Sequence, residues 1–490
     1  MARSAFRGAR SLVLFLLCGL AAGFVLGQTQ KIPKAEDVKA YQESMAWFKK
    51  AEAMIGTPKE NSQEQADLFK KALGIRPDFI EAHFNLGLIY TTQKNLKEAA
   101  QEFEAVRKLN PDFEGIYQLL AATYRDLGQN EEAIGALQEG VKKQPKNLQM
   151  LRPLAFLQLH GSDDSKAIPT LQAILDLDPT DADARVNLGT LYQKRSQLDL
   201  AAQNYRAAID LEPGNANAHF NLALVLMRQK STADAVSELQ TVVKLQPRNA
   251  EALELLGDLY SYGDNTDKAA EVYQAAVAVT PDRAPLLTKL AFSLAKLKRT
   301  SEAANALEKS VLLDPKNADA YYLLGDLYSE LSRYDESVAA YNSSLKLNPK
   351  QKEVHYNLGT LLGERKQYAE AKTELEAALS LDPDYAAAWA NLAVVCEKLE
   401  LDKEATQALE KVIALGKADA GTYFRLGVLY AKGNLPDLAI ASFAKAIQLE
   451  PEKYRQILRE ELKNVHSVLD SVRYKESFVR LLAEKQPGMV

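Results

Sequence analysis

Three of the five histidines occupy positions where a metal-binding or catalytic role has to be considered. His83, His219 and His355 recur at one position of a repeated pattern, four repeats apart, and Trp389 and Tyr423 hold that position elsewhere. A metal site needs several ligands that converge on one ion, and no two of these histidines belong to neighbouring repeats. We therefore predict half-buried packing residues at this position, and neither a metal nor a cofactor.

Two polar stretches contain residue types that occur in catalytic and calcium sites. HGSDDS, at residues 160–165, holds His, Ser and Asp, but a triad forms by convergence in space, so this stretch indicates a loop with a helix cap. DLDPTDAD, at residues 176–183, lacks the glycine and terminal glutamate of a calcium loop. The chain also has no His-Glu-x-x-His, Gly-x-Ser-x-Gly or Cys-x-x-Cys motif and no phosphate-binding loop. We therefore predict that the protein is not an enzyme.

Composition indicates an ordered protein that does not bind nucleic acid. Of 490 residues, 47% are hydrophobic and 26% charged, without a long low-complexity tract. The net charge is −5, and no sustained Lys/Arg stripe could neutralise phosphates. Only Cys396 lies outside the N-terminal segment, so we expect no intramolecular disulfide and a thiol that packs as a small hydrophobe.

The first 27 residues differ from the rest of the chain. Three arginines precede the uncharged run SLVLFLLCGLAAGFVLG, an order typical of a secretory signal. We predict cleavage after Gly27 and an exported protein, periplasmic or secreted. The alternative is an uncleaved membrane anchor at residues 11–27, although this run is just short of a comfortable bilayer span.

The remaining chain repeats with a fixed period. Prolines recur every 34 residues, with Lys417 at the one position that lacks proline: Pro77, Pro111, Pro145, Pro179, Pro213, Pro247, Pro281, Pro315, Pro349, Pro383 and Pro451. Nine residues after each position from Pro77 to Lys417 comes leucine, and the next residue is always glycine or alanine. An alanine follows twelve residues later, with Ser337 as the sole exception. Small residues at this interval indicate two helices that touch.

Each period contains two amphipathic blocks with apolar residues at steps of three and four, which predicts a helical hairpin. Proline ends the second helix, and the Asp or Asn that follows is expected to cap the next one: Asp78, Asn147, Asn215, Asn249 and Asn317. A single hairpin cannot bury its apolar stripe alone. Neighbouring hairpins must therefore stack into one continuous core.

The Leu-Gly pair, the later alanine, the closing proline and the period resemble the tetratricopeptide repeat (TPR) family. The resemblance implies an all-α, right-handed α-solenoid whose first helices line a concave groove that binds protein or peptide partners. Together with the N-terminal pattern, it divides the chain into a signal peptide at 1–27, a linker or helix at 28–45, twelve repeats at 46–453 and a C-terminal helical cap at 454–490. Gly56, Thr57 and Pro58 make the first repeat degenerate.

The resemblance also places candidate partner-binding residues in the groove. Asparagines that could hold a peptide backbone are Asn85, Asn187, Asn221, Asn357 and Asn391. Aromatic residues that could anchor apolar side chains are Phe84, Phe220, Tyr322, Tyr356 and Phe424. The alternative for the aromatic residues is ordinary packing between first helices. The alternative for the asparagines is that asparagine is simply the usual residue of the family at this position.

Charge varies along the predicted groove. Early repeats present Leu88, Ala122, Phe156, Leu224 and Met227, whereas later repeats present Glu254, Asp258, Asp326, Glu330, Glu364 and Glu397. A basic partner segment would suit the acidic part, and a solvated face is the alternative. Asn391 and Arg425 match two positions of the terminal-carboxylate clamp of related proteins, but Tyr356, Thr360 and Gly421 occupy the other three. That specificity is therefore not predicted.

Two functions from different classes fit this sequence. The first is an exported, non-catalytic scaffold that binds extended segments of partner proteins in its groove. The second is a structural or assembly component of a secretion or polysaccharide-export machine, and an accessory subunit of a separately encoded enzyme is a further alternative.

Pro153 and Pro169 predict a kink or soft joint in residues 148–181, unless both stand near helix starts.

Overall fold

The computed structural model describes residues 35–161 and 163–461. The predicted signal segment, residues 28–34 and the predicted cap from residue 462 onward lie outside the described residues. Within the described ranges the chain forms 25 α-helices and one short 3-10 helix, without strands. The helices divide between two compact units, one ending at Pro213 and the other beginning at Gly214.

The first unit contains five helical hairpins, and each hairpin packs on the next. Its helices are α1 (Ala35–Glu52), α2 (Gln63–Ile75), α3 (Ile80–Thr92), α4 (Leu96–Leu109), α5 (Ile116–Asp126), α6 (Asn130–Lys143), α7 (Leu148–Leu159), α8 (Ala167–Leu177), α9 (Ala182–Lys194) and α10 (Leu198–Leu211). The 3-10 helix, Asp164–Lys166, precedes α8.

The second unit contains seven hairpins and a final helix, stacked in the same way. Its helices are α11 (Ala216–Arg228), α12 (Thr232–Leu245), α13 (Ala250–Tyr262), α14 (Thr266–Val279), α15 (Ala284–Lys296), α16 (Thr300–Leu313), α17 (Ala318–Glu330), α18 (Tyr334–Leu347), α19 (Lys352–Glu364), α20 (Tyr368–Leu381), α21 (Ala386–Lys398), α22 (Asp402–Ala414), α23 (Ala420–Lys432), α24 (Pro436–Leu449) and α25 (Pro451–Glu461). The predicted all-α fold of tandem helix pairs is confirmed.

The predicted caps form at four of five positions. The side chains of Asn147, Asn215, Asn249 and Asn317 each accept a hydrogen bond from a backbone N–H in the first turn of the following helix. The prediction for Asp78 was wrong, because Phe79 is the residue that precedes α3. The Asp78 carboxylate instead lies 3.5 Å from the Arg76 guanidinium.

In most hairpins one residue of the turn has a left-handed backbone conformation that its residue type does not predict. Ten such residues have φ between 54° and 76°: Lys94, Gly128, Ser196, Lys230, Asp264, Lys298, Ser332, Lys366, Glu400 and Asn434. The following N–H reaches back to the first helix, as from Asn95 to the Tyr90 carbonyl at 2.8 Å. Glycine is the residue best suited to this conformation, yet only Gly128 supplies it.

The glycine or alanine after each repeat leucine matches the residue that faces it. In five hairpins an aromatic ring of the second helix lies against glycine: Gly87 and Phe103, Gly189 and Tyr205, Gly257 and Tyr273, Gly325 and Tyr341, Gly427 and Phe443. A Cβ on these glycines would lie 2.5 to 2.8 Å from a ring carbon. In five other hairpins alanine is paired with leucine, and Gly359, opposite Leu375, is the one departure. The aromatic ring therefore fits only against a residue that has no Cβ.

The two prolines of residues 148–181 have different positions. Pro169 is the third residue of α8, where its lack of an N–H costs nothing. Pro153 lies inside α7 and leaves the carbonyl one turn earlier without its usual donor. The alternative of tolerated helix starts therefore applies to Pro169 only. A soft joint at Pro153 stays a prediction.

Candidate peptide-binding groove

On each first helix the asparagine position directly precedes the leucine that recurs every 34 residues. In the second unit it holds Asn221, Leu255, Lys289, Leu323, Asn357, Asn391 and Arg425. The following leucine is buried in the core, for example Leu358 after Asn357 and Leu392 after Asn391. The helix thus holds each asparagine half-buried at the edge of the first-helix face, which we call the groove face.

Two asparagines connect neighbouring repeats through their amide nitrogens. Asn357 Nδ2 donates to the Asp326 carboxylate at 2.9 Å, and Asn391 Nδ2 donates to Thr360 Oγ1 at 2.9 Å. A carboxylate can only accept, so Asp326 fixes the orientation of the Asn357 amide. The amide oxygen of Asn357 is then directed away from this bond and keeps its acceptor capacity.

Asp326 is a half-buried carboxylate of this face. The Tyr341 hydroxyl donates to it at 2.6 Å in addition to the Asn357 amide. Burial raises the pKa of Asp326, while its two hydrogen bonds from Tyr341 and Asn357 oppose that rise. Burial likewise raises the pKa of Tyr322 to about 12. Asp326, Tyr341 and Asn357 thus form one hydrogen-bonded polar cluster on the groove face.

Lys289 makes the same connection as the asparagines. Its Nζ lies 2.8 Å from Glu254 and from Asp258 of the preceding repeat. Asp258 also accepts a hydrogen bond from the Tyr273 hydroxyl at 2.6 Å, and Arg283 forms a close ion pair with Glu254. The acidic pair is therefore compensated within the protein.

Arg425 compensates a further acidic residue, because its Nε donates to Glu397 at 2.9 Å. Together with Asp326, the carboxylates of Glu254, Asp258 and Glu397 are thus already bonded to neighbouring repeats. This removes four of the six acidic residues that the sequence offered to a basic partner. The physical reason is that their partners come from the following repeat: a cation for Glu254, Asp258 and Glu397, and the Asn357 amide for Asp326.

The other asparagines have different surroundings. Asn85 donates to the Glu81 carbonyl of its own helix at 2.8 Å. Within the described part of the chain, the Asn187 and Asn221 amides form no side-chain hydrogen bond and are half-buried. The five predicted asparagines are therefore not equivalent. Only Asn357 and Asn391 form consecutive, oriented members of one unit.

The predicted aromatic residues mostly pack against other rings. Phe84 is 8% exposed, with ring centroids 4.8 Å from Phe113. Phe220 packs at the margin of the core of the second unit. Further centroid distances are 6.3 Å for Tyr322 and Tyr341, 4.9 Å for Tyr356 and Tyr385, and 5.3 Å for Phe424 and Phe443. Most of the surface of these rings is thus used in packing.

Exposed apolar side chains at one position of the first helices of the second unit were not predicted from the sequence. Phe292 is 47% exposed and Val394 is 40% exposed. Each stands three residues after the asparagine position, at Lys289 and Asn391, and so lies on the same side of its helix. The available signal was an apolar residue at a position that holds Asp258, Asp326 or Thr360 in other repeats.

Each of the three histidines lies near the start of a first helix and contacts a glutamate of the second helix of the same hairpin. Nδ1 of His83 and His355 lies 2.5 and 2.6 Å from Glu102 and Glu374. Nε2 of His355 lies 3.1 Å from the Pro349 carbonyl, and the Trp389 indole donates to the Pro383 carbonyl at 2.8 Å in the same way. Among the described residues, no three His, Cys, Asp or Glu side chains are grouped closely enough to hold a metal ion. In the same ranges no helix has the length and apolar character needed to cross a bilayer.

Models of tetratricopeptide repeats match most of the chain. The matched segments are 61–112, 90–155, 186–240, 231–285, 284–317, 306–339, 362–426 and 420–453, and a TPR repeat model matches 325–365. The chain belongs to the tetratricopeptide repeat family. TPR proteins are typically non-catalytic scaffolds of protein–protein interaction, and they bind protein or peptide partners.

Several solved TPR structures are similar to parts of the chain. The MamA protein is 22% identical, covers 34% of this chain and 91% of its own, and has a TM-score of 0.33. YrrB, described as a TPR protein with an unusual peptide-binding site, is 21% identical, with coverages of 38% and 97% and a TM-score of 0.36. The C-terminal part of a TPR repeat-containing protein from Cytophaga hutchinsonii is 17% identical, with coverages of 48% and 98% and a TM-score of 0.42. No curated protein matches the chain.

Proposed function

We propose that this TPR protein is an exported scaffold that holds extended segments of partner proteins along the groove face of its second unit. The observation that carries the proposal is the oriented pair Asn357 and Asn391. Their amide nitrogens are bonded to the preceding repeats at 2.9 Å, and the amide oxygens remain as acceptors. Phe292 and Val394 flank this pair with exposed apolar surface.

An extended peptide matches this combination of groups. Its backbone presents N–H donors at regular intervals whatever its sequence, and a fixed amide oxygen can accept from them. Preorganised acceptors bind more tightly than mobile ones because less side-chain freedom is lost on binding. Apolar side chains of the segment would contact Phe292 and Val394. The predicted partner is therefore an extended segment with apolar residues, and not a strongly basic one.

Replacements that occur naturally in other repeats allow a clean test. Asn357→Lys copies the Lys289 and Asp258 pair, and Asn391→Leu copies Leu255 and Leu323 at the same position. Both changes remove the amide oxygen yet preserve a contact between repeats. A photo-reactive benzoylphenylalanine in place of Phe292 should cross-link to partner segments in the cell envelope, and the double variant should lose most of this product.

Asn342→Lys is the matched control, since Asn342 is an exposed residue of a second helix, α18. It adds the same charge away from the groove face and should leave cross-linking unchanged. Equal cross-linking by the double variant, or equal yield from a probe at the exposed Tyr334 of α18, would refute groove binding. A component that assembles through its second helices would give that second result.

Export is a separate part of the proposal. It is supported by the three arginines, the uncharged apolar run of residues 11–27 and the small residues before Gln28. The N-terminal sequence of protein recovered from the envelope should begin at Gln28. Recovery of the uncleaved chain with the membrane fraction would instead establish an anchor at residues 11–27.

A further inference from the structure

A tyrosine closes the gap between consecutive second helices in much of the repeat array. It comes from the first helix of the later repeat and bonds to a Glu or Gln of the earlier second helix, twenty residues before it. Five pairs show this bond: Tyr124 and Glu104, Tyr192 and Gln172, Tyr260 and Gln240, Tyr328 and Glu308, Tyr430 and Glu410. The ring and its hydroxyl thus fill the space between neighbouring hairpins.

Cys396 stands at this tyrosine position, and Glu376 stands at the position of its acceptor. Cysteine is the smallest side chain that any repeat has there, because the other repeats without tyrosine carry Gln158, Leu226, Leu294 and Leu362. The Cys396 thiol is buried and lies 3.9 Å from Glu404. The tyrosine that bonds to the earlier second helix elsewhere is missing at this repeat.

A cavity of about 680 Å³ lies beside this position, between α20 and α22. Glu376 and Glu404 both line it, and the Trp389 indole and Leu392 of α21 form its apolar wall. Its volume is that of a site for a side chain or a small molecule. Eight of its ten lining residues belong to the second helices α20 and α22, and none of them is a candidate groove residue.

The polar lining of the cavity favours a cation. Three carboxylates line it, those of Glu376, Glu404 and Glu410, against Lys411, and Lys372 pairs with two of them, so one negative charge is left over. The ammonium of Lys372 already lies 2.8 Å from Glu376 and 2.9 Å from Glu404, which shows that a positive group fits between them. An indole face beside carboxylates adds a cation–π surface.

We propose that this cavity binds a basic side chain of a partner protein, with the aliphatic stem against Trp389 and Leu392 and the cationic head at the glutamates. A guanidinium suits both parts, because it stacks on an aromatic face and pairs with carboxylates. The cavity therefore provides a second binding surface that does not depend on the groove asparagines. Lys372 acts there as an internal competitor for the same carboxylates.

Trp389 provides the readout. The chain has two tryptophans, so a Trp47→Phe background leaves Trp389 as the only indole fluorophore. Titration of this full-length variant with N-acetyl-arginine amide should change the emission in a saturable way. The neutral isostere N-acetyl-citrulline amide should bind on the order of tenfold more weakly, because it lacks the charge that the glutamates recognise.

Three variants locate the site. Cys396→Tyr restores the arrangement of the five other repeats and should abolish the response by closing the gap, whereas Cys396→Ala keeps the gap open and should bind normally. Glu376→Gln with Glu404→Gln should weaken binding, and Lys372→Met should strengthen it. Equal binding of the arginine and citrulline probes would overturn the proposal. So would unchanged binding by the glutamate variant, which tests the site even if Cys396→Tyr does not fold.

Discussion

Substitution of Gly257 by alanine tests whether an aromatic ring really dictates the glycine in this array. The new Cβ would lie 2.5 Å from Tyr273 Cε1 and 2.6 Å from Cδ1, well inside van der Waals contact. The ring cannot easily retreat, because it is 2% exposed and its hydroxyl is bonded to Asp258 at 2.6 Å. Either the helices of the hairpin separate or the hydrogen bond is lost.

The expected cost follows from three effects. Overpacking a core costs about 1–3 kcal/mol, and losing a hydrogen bond to a charged group costs about 1.5–3 kcal/mol. Alanine returns about 1 kcal/mol of helix propensity relative to glycine. We therefore expect Gly257→Ala to destabilise the hairpin α13 and α14 by roughly 2 kcal/mol or more. Gly359→Ala is the milder comparison, because its Cβ would lie 2.8 Å from Leu375 Cγ, a side chain that no hydrogen bond holds in place, and it should cost less than Gly257→Ala.

Native-state amide exchange is the suitable assay, since a repeat array need not unfold in one step. The free energy of opening should fall for amides of α13 and α14 and change less in distant hairpins. The double variant Gly257→Ala with Tyr273→Leu recreates the alanine and leucine pair and should couple by about 1 kcal/mol or more. A Gly257→Ala protein within about 0.5 kcal/mol of wild type, or strictly additive effects in the double variant, would refute the steric argument.

Three further predictions concern turns, caps and histidine. Lys366→Gly should stabilise its hairpin by up to about 1 kcal/mol, because Lys366 has φ of 63°, and slower amide exchange would show it. Asn249→Ala should cost about 1 kcal/mol by removing the acceptor for the first turn of α13, measured in the same way. The hydrogen bond to Glu374 raises the pKa of His355, so an NMR titration should give a value above the 6.5 of a free histidine. The stability from this pair should be complete below about pH 6.5 and fall as the pH rises through the folded pKa, and His355→Gln should abolish the dependence.

Much of the fold was predictable because each constraint acts within one repeat. The leucine, the small residue and the alanine lie on two helices joined by a short turn, so a single period contains both contact partners. Even the choice between Gly257 and Ala223 could be read from the residue sixteen positions later, Tyr273 or Leu239. The left-handed turn was not predictable, since lysine or serine usually supplies a conformation for which glycine is the usual signal.

The groove was harder to predict because its contacts cross between repeats. Asn357 bonds to Asp326, thirty-one residues earlier, and Lys289 stands in the same relation to Asp258. The sequence of each first helix, taken by itself, predicts an acidic face and a row of asparagine amides without partners. Comparing residues thirty-one apart instead pairs Asp258 with Lys289 and Asp326 with Asn357. Glu254 and Glu397 find their donors thirty-five and twenty-eight residues later, at Lys289 and Arg425. Phe292 and Val394 remain as exposed apolar groups.

The same spacing accounts for five of the seven residues at the asparagine position in the second unit. Leu255 and Leu323 follow apolar residues thirty-one positions earlier, Leu224 and Phe292, whereas Lys289, Asn357 and Asn391 follow Asp258, Asp326 and Thr360. A polar residue at this position thus first forms a hydrogen bond or ion pair with the preceding repeat. Only a polar atom that this bond does not use is available to a ligand. For Asn357 and Asn391 that group is the amide oxygen, whereas Lys289 has no acceptor to offer. Peptide binding should therefore concentrate at α19 and α21, and an asparagine introduced at Leu323, above the apolar Phe292, should add no affinity because nothing orients its amide.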